Sequence, residues 1–232
     1  VICHSPFSRT AAMQRVRTAR HEYEVQATIE YTFRNLGACC WAFPSIAASG
    51  KNTTTLHYET NNDPITPGGL MLTDIGAEVD GYSADVTRTY PQDGSFSPEQ
   101  KAIYEAVLRA QTETIALMKP GVYMGEVHEA AIKILGEDLL RLGLVSRNER
   151  EQVTMYFIHG LGHFLGLRTH DVADRGRKLE AGMTVTNEPG LYVRPADIRA
   201  SAAYLKLSAA ERVGIDAAVA KYADIGVRIE DD

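Results

Sequence analysis

Two aspartates on either side of a predicted β-hairpin are the first residues whose types and spacing could do chemistry. Asp80 and Gly81 stand between two apolar runs, and an Asp-Gly pair is among the strongest two-residue hairpin signals. With the turn at that pair, side-chain alternation places Asp74 and Asp85 on one face, roughly 7 Å apart at the backbone. Two carboxylates this close repel each other unless a positive charge lies between them. Either one aspartate is solvated while the other pairs with Arg88, or the two hold a metal ion.

The same hairpin register predicts specific partners across the two strands. Val79 should lie opposite Tyr82, and Asp74 should lie opposite Thr87. The other face of the hairpin is apolar, as expected for a sheet with one side against a core. Its residues are Met71, Ile75, Val79, Ala84 and Val86.

Further along the chain, two histidines and two glutamates are candidate ligands with weaker individual signals. His159 and His163 have the i, i+4 spacing of a zinc-binding helix, but the two glycines between them disfavour a helix and the acid of that motif is missing. Taken alone, such histidines are more often core or loop residues than ligands. Glu188 precedes a Pro-Gly turn and Glu230 lies beside two aspartates, so a strand-end acid and a charged tail are the ordinary interpretations.

Helices and short strands must position these candidates. Apolar residues at helical spacing, with capping residues and glycine or proline stops, predict helices over residues 8–36, 97–119, 125–142 and 208–222. In each half of the chain a Glu-Val pair opens a helix and a Leu-Gly pair ends it. This faint internal echo is consistent with two matched halves.

The remaining segments read as short strands, turns and loops. Residues 39–58 are predicted as strands and turns, with a strand piece at 56–58, and strands with loops continue from Met155. The chain closes on a predicted strand over residues 225–230, which places Arg228 and Glu230 on one face.

Composition excludes several classes of function. The chain has 232 residues, 44% hydrophobic and 23% charged, which is ordinary for a globular protein with one large domain. Its net charge of −6 argues against a nucleic-acid partner, and no apolar run approaches the length of a membrane span. Three cysteines, two of them adjacent, do not make a disulfide framework, and the start lacks a signal-peptide pattern. These features predict a reducing, cytoplasmic location.

Together, the motifs around the candidate residues resemble those of the pita-bread metallopeptidases. They run in order from about residue 22 to residue 232 and are most similar to the proline-specific branch, aminopeptidase P and prolidase. The resemblance implies an α+β pita-bread fold, a curved antiparallel sheet of two pseudo-symmetric halves with helices packed on its outer face. The motifs are Thr-Asp74-Ile-Gly, Ser-Ala-Asp85-Val-Thr-Arg-Thr, His159-Gly-Leu-Gly-His163, His170-Asp171, Asn-Glu188-Pro-Gly-Leu-Tyr and Arg228-Ile-Glu230-Asp.

The resemblance also implies a site for two divalent metal ions. Asp74 would chelate one ion, His163 and Glu188 would hold the other, and Asp85 and Glu230 would bridge both. The ions would lie about 3.5 Å apart with a bridging water or hydroxide. Four carboxylates and one imidazole form a hard ligand set, which suits Mn²⁺ and tolerates Co²⁺ or Zn²⁺.

The implied activity is that of a metal-dependent exopeptidase that cleaves the Xaa-Pro bond at the amino terminus of peptides with proline in second position. In the implied mechanism the hydroxide attacks the carbonyl before proline, and Glu188 carries the proton to the leaving nitrogen. His57, His159 and His170 match positions that contact substrate or stabilise the tetrahedral intermediate. Arg228 matches a residue beside the metals.

Departures from the family pattern leave the substrate class open. The loop at residues 172–182 is shorter than in prolidases, where it carries an arginine for the carboxylate of a dipeptide. Arg175 and Arg177 are candidate substitutes, although solvated arginines are the more common finding on a short loop. The short loop favours an aminopeptidase over the alternative, a prolidase. The insert at residues 193–223 has no assigned role.

The resemblance carries further expectations about the whole protein. Residues 1–232 should form a single pita-bread catalytic domain, the carboxy-terminal part of a longer chain without the usual amino-terminal domain and final strand. The full-length protein is expected to be a homo-oligomer. A metal-free relative that binds peptides or proteins is a further alternative, but such relatives lose metal ligands and all five ligand positions are filled here. Creatine hydrolases lack the acid cluster, and methionine aminopeptidases differ around the second histidine.

Overall fold

The computed structural model describes residues 5–174 and 176–232, so Arg175, a candidate for carboxylate binding, lies outside the described residues. In the described part no helix is both long and apolar enough to cross a membrane. A 3₁₀-helix spans Gly50–Thr54. The helices are α1 (Ser5–Arg15), α2 (Glu22–Asn35), α3 (Pro98–Ile115), α4 (Met124–Arg141), α5 (Arg150–Val153), α6 (Pro195–Ala200), α7 (Ala202–Leu205) and α8 (Ala209–Lys221). The strands are β1 (Cys40–Trp41), β2 (Ile46–Ser49), β3 (Leu70–Ile75), β4 (Ala77–Val79), β5 (Tyr82–Ser83), β6 (Val86–Pro91), β7 (Gly190–Tyr192) and β8 (Gly226–Arg228).

Helix α2 packs against an antiparallel sheet of order β2-β3-β6 and forms the core of the first half of the chain. Val25, Ile29 and Phe33 recur every four residues, so they share one face of the helix, and all three are buried. They belong to the same cluster as Met71 and Ile75 of β3, two residues predicted for the apolar face of the hairpin. The opposite face of β3 is therefore turned away from this core.

The predicted two-residue turn is confirmed. Asp80 and Gly81 both have positive φ, 52° and 81°, as a type I′ hairpin turn requires. Val79 pairs with its predicted partner across the turn, and Asp74 pairs with Thr87, so the predicted register holds on both sides of the hairpin.

A close backbone approach interrupts this hairpin at Gly76, two residues after Asp74. The carbonyl of Gly76 accepts a hydrogen bond from the amide of Ala42 at 2.8 Å. A Cβ at Gly76 would lie 1.9 Å from the carbonyl oxygen of Ala84, so only glycine fits there. Beyond this point β4 leaves the first sheet and lies between β1 and β5.

The core of the second half surrounds α3, α4 and α8 beside the two-stranded sheet β7-β8. The predicted capping boxes begin two of these helices: Ser97 with Gln100 at α3, and Ser208 with Glu211 at α8. Helix α8 belongs to the 193–223 insert and buries Ile215 and other apolar residues in this core. The insert is therefore part of the second half rather than a separate unit.

Strand β8 joins the two halves because its continuation lies along β6. The amide of Glu230 donates to the carbonyl of Thr87 at 3.1 Å. The hydroxyl of Thr89 donates to the carbonyl of Arg228 at 3.0 Å. Arg228 and Glu230, predicted to share a strand face, are thereby placed against the hairpin that carries the two aspartates.

The single helix predicted over residues 8–36 is wrong, because the structure has two helices there. His21 is extended, with φ −134° and ψ 155°, and forms an isolated β-bridge with Pro64. The carboxylate of Glu24 accepts hydrogen bonds from the amides of Arg20 and His21. This capping arrangement starts a new helix at Glu22.

The strand predicted at residues 56–58 is also wrong, because Leu56 and His57 lie in a turn that follows the 3₁₀-helix. The carbonyl of Leu56 accepts from the Arg228 side chain at 3.4 Å instead of a strand partner. From Met155 to β7 the chain is mostly loop, with an isolated bridge between Phe164 and Val185. Side chains from these loops line the cavity described below.

Candidate active site

A cavity of about 1040 Å³ is lined by residues from both halves of the chain. Strands β2 to β5 contribute from the first half, and the segments around β7 and β8 contribute from the second. The cavity contains all nine residues predicted for the site: His57, Asp74, Asp85, His159, His163, His170, Glu188, Arg228 and Glu230.

The two aspartates reach the cavity from the hairpin. Asp74 lies on β3 and is buried, and its Oδ2 is 2.5 Å from Nη2 of Arg228. Asp85 lies just before β6 and is also buried; its amide donates to Oδ2 of Asp232 at 3.2 Å. The Oδ1 atoms of both aspartates are buried without a hydrogen-bond partner. The predicted sharing of one face is therefore confirmed, and each aspartate keeps one oxygen unsatisfied.

His163 and Glu188 reach the cavity from two loops that are tied to each other. Nε2 of His163 lies 3.5 Å from Oδ2 of Asp85 and 3.5 Å from Oε1 of Glu188. Nδ1 of His163 lies 3.1 Å from the carbonyl of Phe164, to which it can donate, leaving the Nε2 lone pair toward the carboxylates. The hydroxyl of Thr186 donates to Oε1 of Glu188 at 3.2 Å and accepts from the amide of His163 at 3.1 Å. An imidazole that donates from Nδ1 to a carbonyl and keeps the Nε2 lone pair free is arranged as a metal-binding histidine is.

Glu230 completes the cluster from the strand that joins the halves. Its side chain is buried, and its Oε2 accepts from the hydroxyl of Thr87 at 2.7 Å. Its Oε1 has no hydrogen-bond partner. Ligand atoms of Asp85, His163 and Glu230 all lie within 4.8 Å of one another.

The negative charge of the carboxylates in this cavity is not balanced by positively charged side chains beside them. Burial, followed by the charges of neighbouring carboxylates, raises the pKa of Asp85 and of Glu230 above their usual ranges. Burial likewise raises the pKa of Glu188 to about 8, although Arg228 opposes the shift. Among the described residues, three buried carboxylate oxygens have no hydrogen-bond partner, on Asp74, Asp85 and Glu230. Asp85 and Glu230 also lie close to the imidazole of His163, whereas Asp74 is outside that closest group. This donor set fits divalent cations, which would supply both the missing charge and the missing partners.

Comparison with known proteins gives the family of the chain. Residues 7–232 match the family model described as metallopeptidase family M24. The chain belongs to metallopeptidase family M24. It is 38% identical over 231 residues to an Xaa-Pro aminopeptidase of Haemophilus influenzae, covering 95% of this chain and 49% of that protein. It is 36% identical over 235 residues to the Xaa-Pro aminopeptidase of Escherichia coli, covering 97% of this chain and 49% of the relative.

Solved structures agree with the fold. An Escherichia coli aminopeptidase P variant in complex with substrate matches with a TM-score of 0.82 and 32% identity, covering 97% of this chain and 49% of that one. Aminopeptidase PepP from Pseudomonas aeruginosa matches with a TM-score of 0.81 and 36% identity, covering 98% and 50%. The predicted α+β pita-bread fold is confirmed. The M24 chain spans about half the length of the relatives it matches.

In this M24 chain, a buried row of hydrogen bonds connects Asp74 to His159. Arg228 donates from Nη2 to Asp74 and from Nη1 to the hydroxyl of Tyr192 at 2.9 Å. Nδ1 of His159 lies 2.8 Å from the carbonyl of Gly160, which can only accept, so in the neutral ring Nδ1 carries the proton. Nε2 then accepts from the hydroxyl of Tyr192 at 2.9 Å. Burial lowers the pKa of His159 to about 3, so the ring is neutral near pH 7.

Two of the predicted residues lie at the exposed edge of the cavity. His57 lies in the turn after the 3₁₀-helix, and its side chain is exposed. His170 is exposed as well, and its ring meets that of His163 edge-on with centroids 4.2 Å apart. They are placed to meet something bound in the cavity rather than to contact the carboxylate cluster.

Sequence reasoning misses three residues that hold the site together. Thr87 donates to Glu230 and accepts from Nε of Arg228 at 3.1 Å. Thr186 links His163 to Glu188, and Tyr192 links Arg228 to His159. Strand geometry could have found all three: Thr87 is the predicted partner of Asp74, and Thr186 and Tyr192 have the same strand parity as Glu188.

Proposed function

We propose that this chain is a metal-dependent exopeptidase that hydrolyses the Xaa-Pro bond at the amino terminus of peptides. The observation that carries the proposal is the convergence of Asp74, Asp85, His163, Glu188 and Glu230 in one cavity with unsatisfied carboxylate oxygens. The names of the relatives support the choice of bond, because those proteins are Xaa-Pro aminopeptidases.

The five residues would hold two divalent cations. In this assignment Asp74 binds one cation, His163 and Glu188 bind the other, and Asp85 with Glu230 lies between them. Bound cations would supply an acidified water and polarise the carbonyl that precedes proline. We further propose Mn²⁺ as the native ion, since four carboxylates and one imidazole form a hard, oxygen-rich set.

The chain's own residues would orient the substrate and move the proton. Oε2 of Glu188 lies 3.9 Å from Nδ1 of His159 and faces the cavity, so this carboxylate is placed to pass a proton to the leaving nitrogen of proline. His159 is held neutral by burial and oriented by Tyr192, so its ring can contact substrate without adding charge. His57 and His170, at the exposed edge, would contact the peptide farther from the cations.

Arg228 would act on Asp74 rather than on the substrate. Its guanidinium is buried and all its contacts within the described residues are to the protein: Asp74, Thr87, Tyr192 and the Leu56 carbonyl. A fixed positive charge at Oδ2 of Asp74 leaves Oδ1 as the oxygen free for a cation. Arg228 is thus proposed as a positioning residue for the first metal ligand.

The loop at residues 172–182 supports an aminopeptidase rather than a prolidase. Arg177 reaches the cavity wall, but its guanidinium is already bound to Glu180 through two hydrogen bonds of 3.0 and 2.7 Å. An arginine engaged in this way is not free to bind the carboxylate of a dipeptide. The cavity of about 1040 Å³ is also at the upper end of the size of small-molecule sites and has room for a longer peptide.

Domain organisation, location, partners and oligomeric state are proposed from composition and from the family. We propose that residues 1–232 act as one catalytic domain in a cytoplasmic protein, which is consistent with the free thiols of Cys39 and Cys40. A net charge of −6 argues against a nucleic-acid partner. Assembly into a homo-oligomer is proposed only by analogy with the family.

The deciding experiment compares peptides and metal states on the purified protein. An Xaa-Pro-Xaa tripeptide, an Xaa-Pro dipeptide and an Xaa-Ala-Xaa control are offered before chelation, after chelation and after Mn²⁺ is restored. We expect cleavage of the tripeptide alone, its loss on chelation and its return with Mn²⁺. Undiminished cleavage in chelator would contradict the metal mechanism. Cleavage of the dipeptide alone would make the protein a prolidase, and peptide binding without cleavage at full metal content would indicate a binding protein.

A further inference from the structure

A second cluster of potential metal ligands lies at the edge of the cavity, separate from the carboxylates. Sγ of Cys39 lies 3.0 Å from Sγ of Cys40 and 3.4 Å from Oε1 of Glu78. One ligand atom from each of these residues lies within 4.8 Å of both others. The cluster is accessible, because Cys39 is exposed and the other two residues are half-buried.

We propose that Cys39, Cys40 and Glu78 form a binding site for a thiophilic divalent cation, of which Zn²⁺ is the type. Two thiolates and one carboxylate provide three protein ligands, and water would complete a tetrahedral set. The ligand type separates this site from the carboxylate cluster, whose donors are one imidazole and carboxylate oxygens. The inference stands apart from the proposed peptidase activity.

Strand pairing fixes the three residues relative to one another. Cys40 of β1 is the register partner of Glu78 of β4, and the amide of Cys39 donates to the carbonyl of Glu78 at 3.2 Å. Arg34 binds the carbonyl oxygen of Cys39, which leaves the sulfur as the available ligand atom of that residue. The ladder thus holds the ligand-bearing backbones together without any ion.

The backbone disfavours a disulfide between the two cysteines and leaves both sulfurs for a cation. Two sulfurs each about 2.3 Å from zinc in tetrahedral geometry lie roughly 3.8 Å apart. The observed sulfur–sulfur distance of 3.0 Å is shorter, so cation binding would move the two side chains apart at this accessible edge. A disulfide between neighbours in sequence is unfavourable, because their Cα atoms are about 3.8 Å apart across a trans peptide, below the usual range of about 4.4 to 6.8 Å.

The position of Glu78 gives the site a structural consequence. Glu78 lies on the hairpin between Asp74 and Asp85, and its side chain also lines the large cavity. A cation shared by Glu78 and the two cysteines would tie β1 to this hairpin. It would therefore fix the edge of the cavity on the side of the two aspartates.

Cobalt is the probe that distinguishes the two sites, because only a sulfur ligand gives thiolate-to-cobalt charge transfer in the near ultraviolet. Fully reduced protein, with its thiols counted beforehand, is titrated with Co²⁺ and then with competing Zn²⁺. We expect a charge-transfer band whose final amplitude corresponds to one sulfur-bound Co²⁺ per chain, in addition to the Co²⁺ that the carboxylate site takes up, and which Zn²⁺ displaces. The matched control is Cys3→Ser, which removes the third cysteine of the chain and should leave the band unchanged.

Three variants test the assignment of the ligands. Cys39→Ser and Cys40→Ser should each weaken Co²⁺ binding at least about a hundredfold, and Glu78→Gln should weaken it roughly tenfold. Circular dichroism and an unchanged melting temperature of the metal-free protein would show that the variants are folded. The proposal is overturned if reduced protein gives no band, if the band survives in both cysteine variants, or if it disappears in Cys3→Ser. A wild-type affinity in Glu78→Gln would remove the carboxylate from the site.

Discussion

The two halves of the carboxylate site are built in different ways. Asp74 lies on a central strand, with β2 pairing on one side and β6 on the other, so two hydrogen-bonded ladders fix its position. His163 and Glu188 lie on two loops that pair with each other. The amide of Glu188 donates to the carbonyl of Leu161 at 2.8 Å, and the amide of Thr186 donates to the carbonyl of His163 at 2.9 Å. The hydroxyl of Thr186 adds side-chain hydrogen bonds to both ligands. Two strand partners thus fix Asp74, whereas one short set of backbone hydrogen bonds and one hydroxyl fix His163 and Glu188.

The halves also differ in how well their polar atoms are satisfied. Asp74 and Asp85, on the hairpin, each keep a buried oxygen without a partner. On the loop side, Oε1 of Glu188 accepts from Thr186 and its Oε2 faces His159. The hairpin is rigid enough to hold unsatisfied charge, and this is where a cation should matter most. The difference predicts that substitutions on the strand side have larger effects than those on the loop side.

The largest effect is expected from Asp85→Asn, which keeps the shape of the side chain and removes its charge. Activity should fall at least about a thousandfold, or roughly 4 kcal/mol of barrier, because the site loses a central metal ligand. The same change should raise the melting temperature of the chelated protein, since Asp85 is a buried carboxylate surrounded by like charges. Metal content, activity and melting temperature with and without chelator measure the three effects.

The control for this variant is Asp80→Asn, which makes the same chemical change at the exposed turn of the hairpin. Asparagine tolerates the positive φ of that turn, so stability and activity should change little. Full metal content and normal activity in Asp85→Asn would show that the hairpin does not hold the cations.

A pH dependence of the metal-free protein is the next largest effect. The pKa of Glu188 is raised to about 8, and those of Asp85 and Glu230 are raised as well, so the folded state binds protons that the unfolded state has released. Below about pH 6.5 the buried histidines oppose this effect, because burial lowers the pKa of His159 to about 3 and lowers the pKa of His163 as well. Stability should therefore fall as the pH rises from about 6.5 to about 8. We expect a loss of at least about 2 kcal/mol over that range in denaturant unfolding with chelator.

Saturating Mn²⁺ supplies the comparison for this measurement, because bound cations keep the carboxylates ionised in the folded state at both pH values. The fall in stability across that range should then shrink or reverse. Equal stability of the metal-free protein at both pH values would show that the pKa values of these carboxylates are not raised in the folded state as the structure indicates.

The difference between the two halves also explains how far the sequence predicts the site. The turn at Asp80 and Gly81, together with strand alternation, is enough to place Asp74 and Asp85 on one face, and the observed pairing of Asp74 with Thr87 agrees. No periodicity positions His163, because its loop has none, and only the resemblance of its motif predicts it. Turn geometry and strand alternation therefore predict the positions of Asp74 and Asp85, whereas only the resemblance to a family predicts that of His163.

The two incorrect secondary-structure predictions have a related physical origin. The break between α1 and α2 combines the local cap by Glu24 with a bridge from His21 to Pro64, residues far apart in sequence. The turn at Leu56 depends on a hydrogen bond from Arg228, at the other end of the chain. Neither contact leaves a mark on the local pattern of apolar residues. The capping boxes of α3 and α8, which are local, are predicted correctly.

A matched pair of threonines tests the comparison directly, beginning with Thr87→Val on the strand side. The hydroxyl of Thr87 donates to a buried glutamate, Glu230, and accepts from Arg228, so both hydrogen bonds are charge-assisted. Its removal should cost about 3 kcal/mol of unfolding free energy and lower Mn²⁺ affinity about 10- to 100-fold. Denaturant unfolding and metal titration measure these effects, with Thr112→Val on the exposed side of α3 as a control expected to change stability by less than about 0.5 kcal/mol.

Thr186→Val is the corresponding change on the loop side and should have the smallest effect of the four. Its hydrogen bonds to the amide of His163 and to Glu188 are 3.1 and 3.2 Å long, and only one of them involves a charged group. The backbone contacts that tie the loops remain, since the amide of Glu188 still donates to the carbonyl of Leu161 at 2.8 Å. We expect a cost of about 1 kcal/mol in the same unfolding experiment. A cost larger than that of Thr87→Val would invert the comparison, because it would show that a single hydroxyl between loops constrains the site more strongly than the paired strands do.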